Sequence, residues 1–482
     1  MTDNPSIPDM LKNFDDYVER VREQHNVPAL SVAILYNDKI YGAASGILNL
    51  DTGVEATTDS IFQIASITKV FTASLIMQLV DEGKLGLDMP VKQYLRDFDL
   101  TDSTIAEKIT VAQLLDHTSG IPGDFVGSNA YTEQNAIARY VDRCNALNPI
   151  HPPGERYSYP NAAYNIAGRL IEVILGITWY GAIEERIFKP LGMKQAVAHP
   201  SQVIRHRVAM GHIPDATNEG KWKLSPDCYL PISWAPCGSV LSLSASDLIT
   251  FAKAHLNHGQ TESGESWLSP ASIERMQQAR AKLPPYTYMS NTHCALGWHL
   301  IQGNHVPIIG HTGAGPGQKS MLQIIPELNF AIAAIHNSSN AKLLPALLDE
   351  VLLDLTNIQL NLTKPIPKKS ISIDLEALVG TYETILGRAI ISIENGHLMI
   401  VITPNKNEPD KTESYRLEQA DKYFFVAQTE FERLCLSFMD VDKEGVPKYL
   451  FCRGRLLTRT ESCRLPPIPV HPKGANPCDV IQ

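Results

Sequence analysis

Two strand-rich segments on either side of a long helical stretch constrain the fold more than any other feature of the sequence. Apolar runs over 29–36 and 40–45 are separated by a short polar turn, which predicts a hairpin. The runs 320–325 and 330–335 predict a second hairpin. From about 70 to 256 the pattern is mostly helical and is broken by clusters of Pro and Gly. We therefore expect one antiparallel sheet to which both ends of this region contribute, with a helical insertion between them.

Helices are predicted at both outer ends of these strands. Residues 9–23 carry an apolar stripe that includes Leu11, Phe14 and Val18, and residues 343–355 are also helical in pattern. The expected fold class is therefore α/β, in the α+β sense of an antiparallel sheet flanked by helices, with a helical subdomain.

A change of composition near residue 361 predicts a second domain. The chain has 482 residues, which is too long for one ordinary core, and 361–372 is rich in Lys and Pro, as linkers are. Beyond it, short apolar runs and the turn Asn395-Gly396 predict an all-β C-terminal domain, a small barrel, over 373–465. The predicted strands are 389–393, 398–402, 423–426, 434–438 and 449–452. We thus expect a first domain over 1–360 and an extended tail over 466–482.

Composition argues against several classes of function. The formal net charge is −10 and no run is dense in Lys and Arg, which argues against a nucleic-acid partner. No apolar run is long enough to span a bilayer, and the N-terminus lacks a secretory pattern, so we expect a cytoplasmic protein unless a leader was removed. The eight cysteines form no C-x-x-C pair, and we expect neither a metal nor another cofactor. The oligomeric state stays open.

The first candidate for chemistry is the pair Ser66 and Lys69, in the tetrapeptide Ser-Ile-Thr-Lys. A serine hydroxyl becomes a good nucleophile only when a neighbouring base takes its proton. If Ser66 opens a helix, Lys69 lies one turn later on the same face, where a desolvated amine can serve as base. Such a pattern arises about once by chance in a chain of this size. Ser339 and Lys342 repeat it, so the pattern is weak without its context.

Two further motifs follow along the chain. In the tripeptide Tyr-Pro-Asn, Tyr159 near a lysine can shuttle a proton between Ser66 and a leaving group, and Asn161 can hold the lysine or a substrate carbonyl. The alternative is a turn tyrosine that caps the next helix.

The triplet His311-Thr312-Gly313, if it lies on an edge strand, can line one wall of a cleft, where glycine permits close approach of a substrate. The alternative there is an ordinary strand-end turn.

These three motifs, in this order, resemble those of the serine β-lactamase and penicillin-binding-protein superfamily. The similarity is greatest to the class C-like branch, which includes esterases and D-aminopeptidases. Supporting similarity is found at 114–121, 238–248 and 296–298, and the resemblance covers roughly residues 10–356. It implies an α/β sandwich and a helical subdomain with a cleft between them. The C-terminal module resembles the lipocalin-like barrels of D-aminopeptidase-type relatives, where such a domain can restrict the cleft.

Carried over by position, the resemblance implies a role for each motif residue. Ser66 is the acylated nucleophile, Lys69 its partner, and Tyr159 the general base and acid. The backbone N–H groups of Ser66 and Ala314 would form the oxyanion hole. His117 belongs to a stretch that is usually structural, and no catalytic role is assigned to it. The substrate-binding residues implied in this way are Asn161, His311, Thr312, Gly313 and Ala314.

One departure from the β-lactamase pattern bears on the substrate. His311 stands where β-lactamases carry a lysine that helps to hold the drug's carboxylate, and an uncharged imidazole attracts an anionic substrate less. We therefore expect hydrolysis, through an acyl-enzyme, of an ester or of a small amide or peptide, D-configured ones included. One alternative is acyl transfer to an alcohol or amine at the same site. Another is a catalytically silent binding protein, against which the intact Ser66, Lys69 and Tyr159 argue.

Overall fold

The computed structural model describes most of the chain, and every statement below concerns this part. The described residues are 7–123, 135–285, 288–303, 306–364, 366, 368–369, 371–385, 387–404, 412–429 and 433–460. The predicted tail over 466–482 lies outside them, as do Cys463 and Cys478.

The centre of the first part of the chain is a nine-stranded antiparallel sheet. Its strands and those of two smaller sheets are β1 Ala29–Tyr36, β2 Lys39–Asn49, β3 Val54–Glu55, β4 Phe62–Gln63, β5 Ala196–Val197, β6 His212–Pro214, β7 Trp222–Leu224, β8 Ser242–Leu243, β9 Ala281–Lys282, β10 Asn291–Cys294, β11 His299–Gln302, β12 Pro307–Gly315, β13 Gln318–Ile325 and β14 Phe330–His336. The large sheet runs in the order β3-β2-β1-β14-β13-β12-β11-β10-β9. Because β1 pairs with both β2 and β14, the predicted union of the two ends is confirmed.

Helices cover both faces of this sheet. They are α1 Asp9–Lys12, α2 Phe14–Gln24, α3 Thr68–Asp81, α4 Ser103–Ala106, α5 Val111–Leu115, α6 Ala136–Cys144, α7 Asn161–Leu175, α8 Trp179–Ile183, α9 Lys189–Leu191, α10 Ala245–Leu256, α11 Pro270–Gln277 and α12 Leu343–Thr356. The alternation of β1 explains the two layers, because Leu30 and Val32 face α2 and α12 whereas Ala29 and Ala33 face the core that contains α3 and α10. The predicted α+β class with a helical subdomain is therefore confirmed.

The sequence had suggested an edge strand for the triplet at 311–313, but the triplet lies on an interior strand. It belongs to β12, which pairs with β11 on one side and with β13 on the other. The interior position of this strand was not evident from the sequence, because β9 and β10, which extend the sheet further, are only two and four residues long. The wall that this triplet forms is therefore held by hydrogen bonds on both sides.

The C-terminal part is a second nine-stranded antiparallel sheet that is nearly closed into a barrel. Its strands are β15 Gly380–Glu383, β16 Arg388–Glu394, β17 His397–Thr403, β18 Glu413–Arg416, β19 Glu418–Asp421, β20 Phe424–Gln428, β21 Arg433–Val441, β22 Pro447–Cys452 and β23 Arg455–Arg459. The order is β18-β17-β16-β15-β23-β22-β21-β20-β19, and Leu417 alone separates the two edge strands along the chain. Buried side chains such as Tyr382, Ile400 and Leu436 fill the interior. The predicted all-β barrel is confirmed, while the residue limits of the domains stay a prediction.

In the described part of the chain, no single helix is both long enough and apolar enough to cross a membrane. One bent pair, Asn161–Leu175 with Trp179–Leu191, meets the criteria of length and composition when its two helices are taken together, with an angle of 81° between them.

Candidate active site

Ser66 lies in a tight turn at the start of a buried helix. The 3₁₀ turn Ala65–Ile67 leads directly into α3, and Ala65 has a positive φ of 45°, which is uncommon for a residue with a side chain. Glycines allow other segments to approach this turn closely. A Cβ atom on Gly238 would lie 2.8 Å from the Ser66 nitrogen, and one on Gly313 would lie 2.1 Å from the Ile64 oxygen. The turn is therefore held between two backbones, with the Ser66 side chain half-buried at the cleft.

Lys69 lies one turn further along α3 and is fully buried. Its Nζ donates hydrogen bonds to Asn161 Oδ1 at 2.7 Å, to the Cys237 carbonyl oxygen at 2.6 Å and to Ser66 Oγ at 3.3 Å. A lysine ammonium has three hydrogens and no acceptor, and three oxygens surround it here. The arrangement therefore suits a lysine that stays protonated and acts as a fixed positive charge.

Tyr159 and Asn161 approach this ammonium from the start of another helix. Extended backbone at Pro160 precedes α7, so Asn161 becomes the first helical residue and its amide reaches Lys69. The Tyr159 ring faces the same ammonium, with Lys69 Nζ 4.6 Å from the ring centroid. The structure thus brings together the side chains of the first two motifs, which are about ninety positions apart in the chain.

The third motif forms the opposite wall. Ser66, Tyr159 and Asn161 share a cleft of about 390 Å³ with His311, Thr312, Gly313 and Ala314. Every residue that the sequence assigned to the site, Lys69 apart, lines this cleft, and Lys69 lies behind Ser66 and Asn161. Their catalytic and binding roles remain predictions. In the second Ser-x-x-Lys match, Ala341 also lines the cleft, but Ser339 lies against the backbone of His212 and Lys342 is exposed.

Three buried histidines surround Tyr159. The ring of His117 lies 4.2 Å from that of Tyr159 between centroids, and His299 and His311 lie 6.3 and 6.2 Å away. Tyr157 and His299 share a hydrogen bond between the hydroxyl and Nε2 at 3.1 Å. The rings of His299 and His311 are themselves 4.8 Å apart.

Burial keeps these imidazoles uncharged. It lowers the pKa of His299 to about 4, with a further contribution from the Lys69 charge. Burial, together with the neighbouring His299 and Lys69, also holds the pKa values of His117 and His311 well below the ordinary histidine value. Near neutral pH the strand wall therefore presents a neutral ring at the position of the β-lactamase lysine.

Several residues of the cleft were not found from the sequence. His299 follows directly after a stretch that resembles the superfamily, and Tyr157 lies within the second motif region, so position alone was a weak signal for both. The Cys237 carbonyl is a backbone group, which no motif of side chains identifies. The barrel residues that line the cleft had no sequence signal, and they are Arg433, Leu434, Cys435, Ser437, Phe451, Arg453, Gly454 and Arg455.

In the described residues, no group of three or more His, Cys, Asp or Glu side chains is placed to hold a metal ion. The side chains gathered at the cleft are a hydroxyl, a buried cation and a phenol.

Comparison with known proteins shows which family and which folds this chain is similar to. A family model described as Beta-lactamase matches residues 14–354. Penicillin-binding protein 4 of Amycolatopsis lactamdurans is 36% identical over 377 residues, which cover 77% of this chain and 97% of that protein. The solved structure of SurE, also known with D-Leu, has a TM-score of 0.74 and 25% identity, and covers 93% of this chain and 98% of its own. D-Amino acid amidase of Ochrobactrum anthropi has a TM-score of 0.59 and 23% identity, with 70% and 98% coverage.

The histidine cluster predicts that the free energy of unfolding decreases in mild acid. Below pH 6.5 the unfolded chain protonates a histidine that the folded protein keeps neutral, so stability is lost as the pH falls from about 6.5 to about 4. For His299 the loss of unfolding free energy amounts to about 3 kcal/mol. We expect the thermal unfolding midpoint of His299→Gln to vary less with pH between 7.5 and 4.5 than that of the unaltered protein. The exposed His397→Gln is the control and should keep the original slope; equal slopes for all three proteins would contradict the prediction.

Proposed function

This chain belongs to the beta-lactamase family, whose members are serine hydrolases, and from that premise we propose that it cleaves its substrate through an acyl-enzyme on Ser66. The single observation that carries the proposal is the buried Lys69 ammonium, which contacts Ser66 Oγ, Asn161 Oδ1 and the face of Tyr159. A fixed charge in this position favours negative charge on the serine and tyrosine oxygens, which acyl transfer requires.

In the proposed first step, Tyr159 in its phenolate form accepts the proton of Ser66 Oγ while that oxygen attacks the substrate carbonyl. The carbonyl π electrons move onto its oxygen, which the backbone N–H groups of Ser66 and Ala314 stabilise. Collapse of this intermediate breaks the bond to the leaving group. Tyr159 returns the proton to the leaving amine or alcohol, and an ester on Ser66 remains.

Hydrolysis repeats the sequence with water as the nucleophile. Tyr159 takes a proton from water, the resulting hydroxide attacks the ester carbonyl, and Ser66 leaves with the proton that Tyr159 returns. Lys69 keeps its proton throughout, because its three oxygen neighbours match the donors of an ammonium. Asn161 holds the ammonium through its Oδ1 atom and also lines the cleft.

The cleft favours a small ester or amide as substrate. Its volume of about 390 Å³ suits a short peptide or an amino-acid amide, and residues of the barrel form one of its walls. The neutral His311 ring offers no charge to a carboxylate beside the third motif. A D-configured substrate is favoured because one structural neighbour is a D-amino acid amidase and another was solved with D-Leu.

Labelling tests the nucleophile. A fluorophosphonate or β-lactam probe should add once to the protein, at Ser66, and Ser66→Ala should abolish the adduct, because the attacking oxygen is gone. Intact-protein and peptide mass spectrometry measure this. The matched control is Ser339→Ala, which removes the serine of the other Ser-x-x-Lys sequence and should label normally. An adduct at Ser339, or at any residue in Ser66→Ala, would reject the assignment.

Loss of the phenol should slow acylation without loss of binding. For Tyr159→Phe we expect the hydrolysis rate of an activated ester to fall about a hundredfold or more, on the usual scale for removal of a general base. Steady-state kinetics with a p-nitrophenyl ester measure it. Tyr180→Phe serves as control, since its hydroxyl bonds to the Ile232 carbonyl outside the cleft. Near-normal turnover by Tyr159→Phe would remove this residue from the mechanism.

Substrate preference is tested with matched pairs. Short-chain p-nitrophenyl esters should be hydrolysed faster than nitrocefin, because neutral His311 does not attract the carboxylate of the β-lactam. D-Amino-acid p-nitroanilides should exceed their L-forms in kcat/KM by roughly tenfold, a common degree of discrimination for one pocket contact. Ser66→Ala controls for background hydrolysis. Faster turnover of nitrocefin, or an equal response to both enantiomers, would contradict the proposed substrate class.

A further inference from the structure

The barrel contacts the second motif through a tight turn. Arg453 and Gly454 form a two-residue turn between β22 and β23, with φ angles of 48° and 83°, the left-handed geometry of a narrow hairpin. The Gly454 carbonyl at this turn accepts a hydrogen bond from the Tyr159 backbone nitrogen at 2.9 Å. Two residues later, the Leu456 nitrogen donates to Ser158 Oγ at 3.2 Å. The segment that carries the tyrosine is thus held by the barrel.

Further contacts fix this arrangement from both sides. The Tyr449 hydroxyl donates to the Ile150 carbonyl at 3.0 Å, and Arg156 forms an ion pair with Asp440 at 2.8 Å. An apolar cluster fills the space between the two parts, and its buried members are Tyr157, Leu283, Cys294, Tyr449, Phe451 and Leu456. These contacts combine apolar burial with hydrogen bonds, so the barrel packs directly against the segment of the second motif.

The same turn brings a cation to the tyrosine. Arg455 Cζ lies 5.5 Å from the centroid of the Tyr159 ring, and its Nη1 donates to the Arg453 carbonyl at 3.2 Å, which orients the guanidinium. The charge acts on the neighbours of that ring as well. It disfavours the protonated form of His117 and favours the ionised form of Tyr157, although burial is the larger influence on both.

Titratable groups from several parts of the chain face Tyr159. They are Lys69 from α3, His117 after α5, Tyr157 before α7, Tyr164 from α7, His299 from β11, His311 from β12 and Arg455 from β23. The three histidines are neutral, and burial raises the pKa values of Tyr157 and Tyr164 well above the ordinary value. Of the groups just named, only Lys69 and Arg455 therefore carry a charge near neutral pH, while Lys319, Arg433 and Arg453 are further cations that line the same cleft.

We propose that the barrel turn over 453–456 is part of the active site, and that Arg455 is a positioning residue that stabilises the Tyr159 phenolate before it accepts the Ser66 proton. This inference rests on the proposed function. A cation near a phenol favours its ionised form, and a lysine at the third motif, which would be a second cation near the site, is replaced by neutral His311. Arg455 supplies that charge from a different part of the chain.

The test compares neutral and charged replacements in the full-length protein. The rate of Ser66 labelling by a fluorophosphonate is measured from pH 5 to 10 for Arg455→Met, Arg455→Gln and Arg455→Lys. In the two neutral variants the pH of half-maximal rate should rise by about one unit, and the rate at pH 7 should fall about tenfold. Arg455→Lys keeps the charge and should restore most of the rate and the original midpoint. Arg388→Met, on an exposed part of the barrel, should behave as the unaltered protein.

Each outcome of this test either supports or overturns the inference. Unchanged midpoints in both neutral variants would overturn the inference, even if their rates fell, since a purely structural role lowers the rate without moving the pH profile. Equal losses in the lysine variant and the neutral variants would overturn it too. Thermal unfolding identifies a variant that fails to fold, and the second neutral replacement then supplies the comparison. Absence of Ser66 labelling in the unaltered protein would instead refute the proposed function, which is a different result.

Discussion

The rest of the site depends on one buried charge, the Lys69 ammonium. A lysine without exposed surface is costly unless oxygen atoms replace its water shell, and here Ser66, Asn161 and the Cys237 carbonyl do so. These three partners come from the 3₁₀ turn before α3, from the start of α7 and from the 3₁₀ helix Ile232–Cys237. Satisfying this charge therefore requires the helical subdomain to close around the same point, and the convergence of distant segments follows from that requirement.

Residues whose role is local could be predicted from the sequence, and residues whose role depends on distant packing could not. Ser66 and Lys69 lie one helical turn apart, and Tyr159 and Asn161 are two positions apart, so short spacing made each motif recognisable and the order of the three motifs singled these residues out. The hairpins of the large sheet were recognisable because their strands are long and apolar. Strands β15, β18 and β19 were missed because four residues with mixed polarity carry little periodic signal. Arg455 was missed because its neighbour in space is nearly three hundred positions away in the chain.

The barrel contributes to the cleft through its outer surface and not through its interior. Its described interior is filled with apolar side chains such as Tyr382 and Leu436, as in a packed core. The parts that line the cleft are instead the outer turn between β22 and β23 and residues 433–437 of β21. The barrel thus provides a rigid support for a short loop, and the precision of that loop comes from the β-ladder on both sides of it.

The exchange of lysine for histidine at position 311 has a consequence for where positive charge acts. A cation on the strand wall lies beside the substrate and attracts an anionic group there, whereas Arg455 lies against the ring of Tyr159. In the proposed mechanism the charge then supports the base rather than the substrate. The histidines at 299 and 311 add no positive charge there, because burial prevents their protonation. In the proposed mechanism, the charge that supports proton transfer is separate from the group that would select a carboxylate. The same order of motifs can therefore serve uncharged esters and amides.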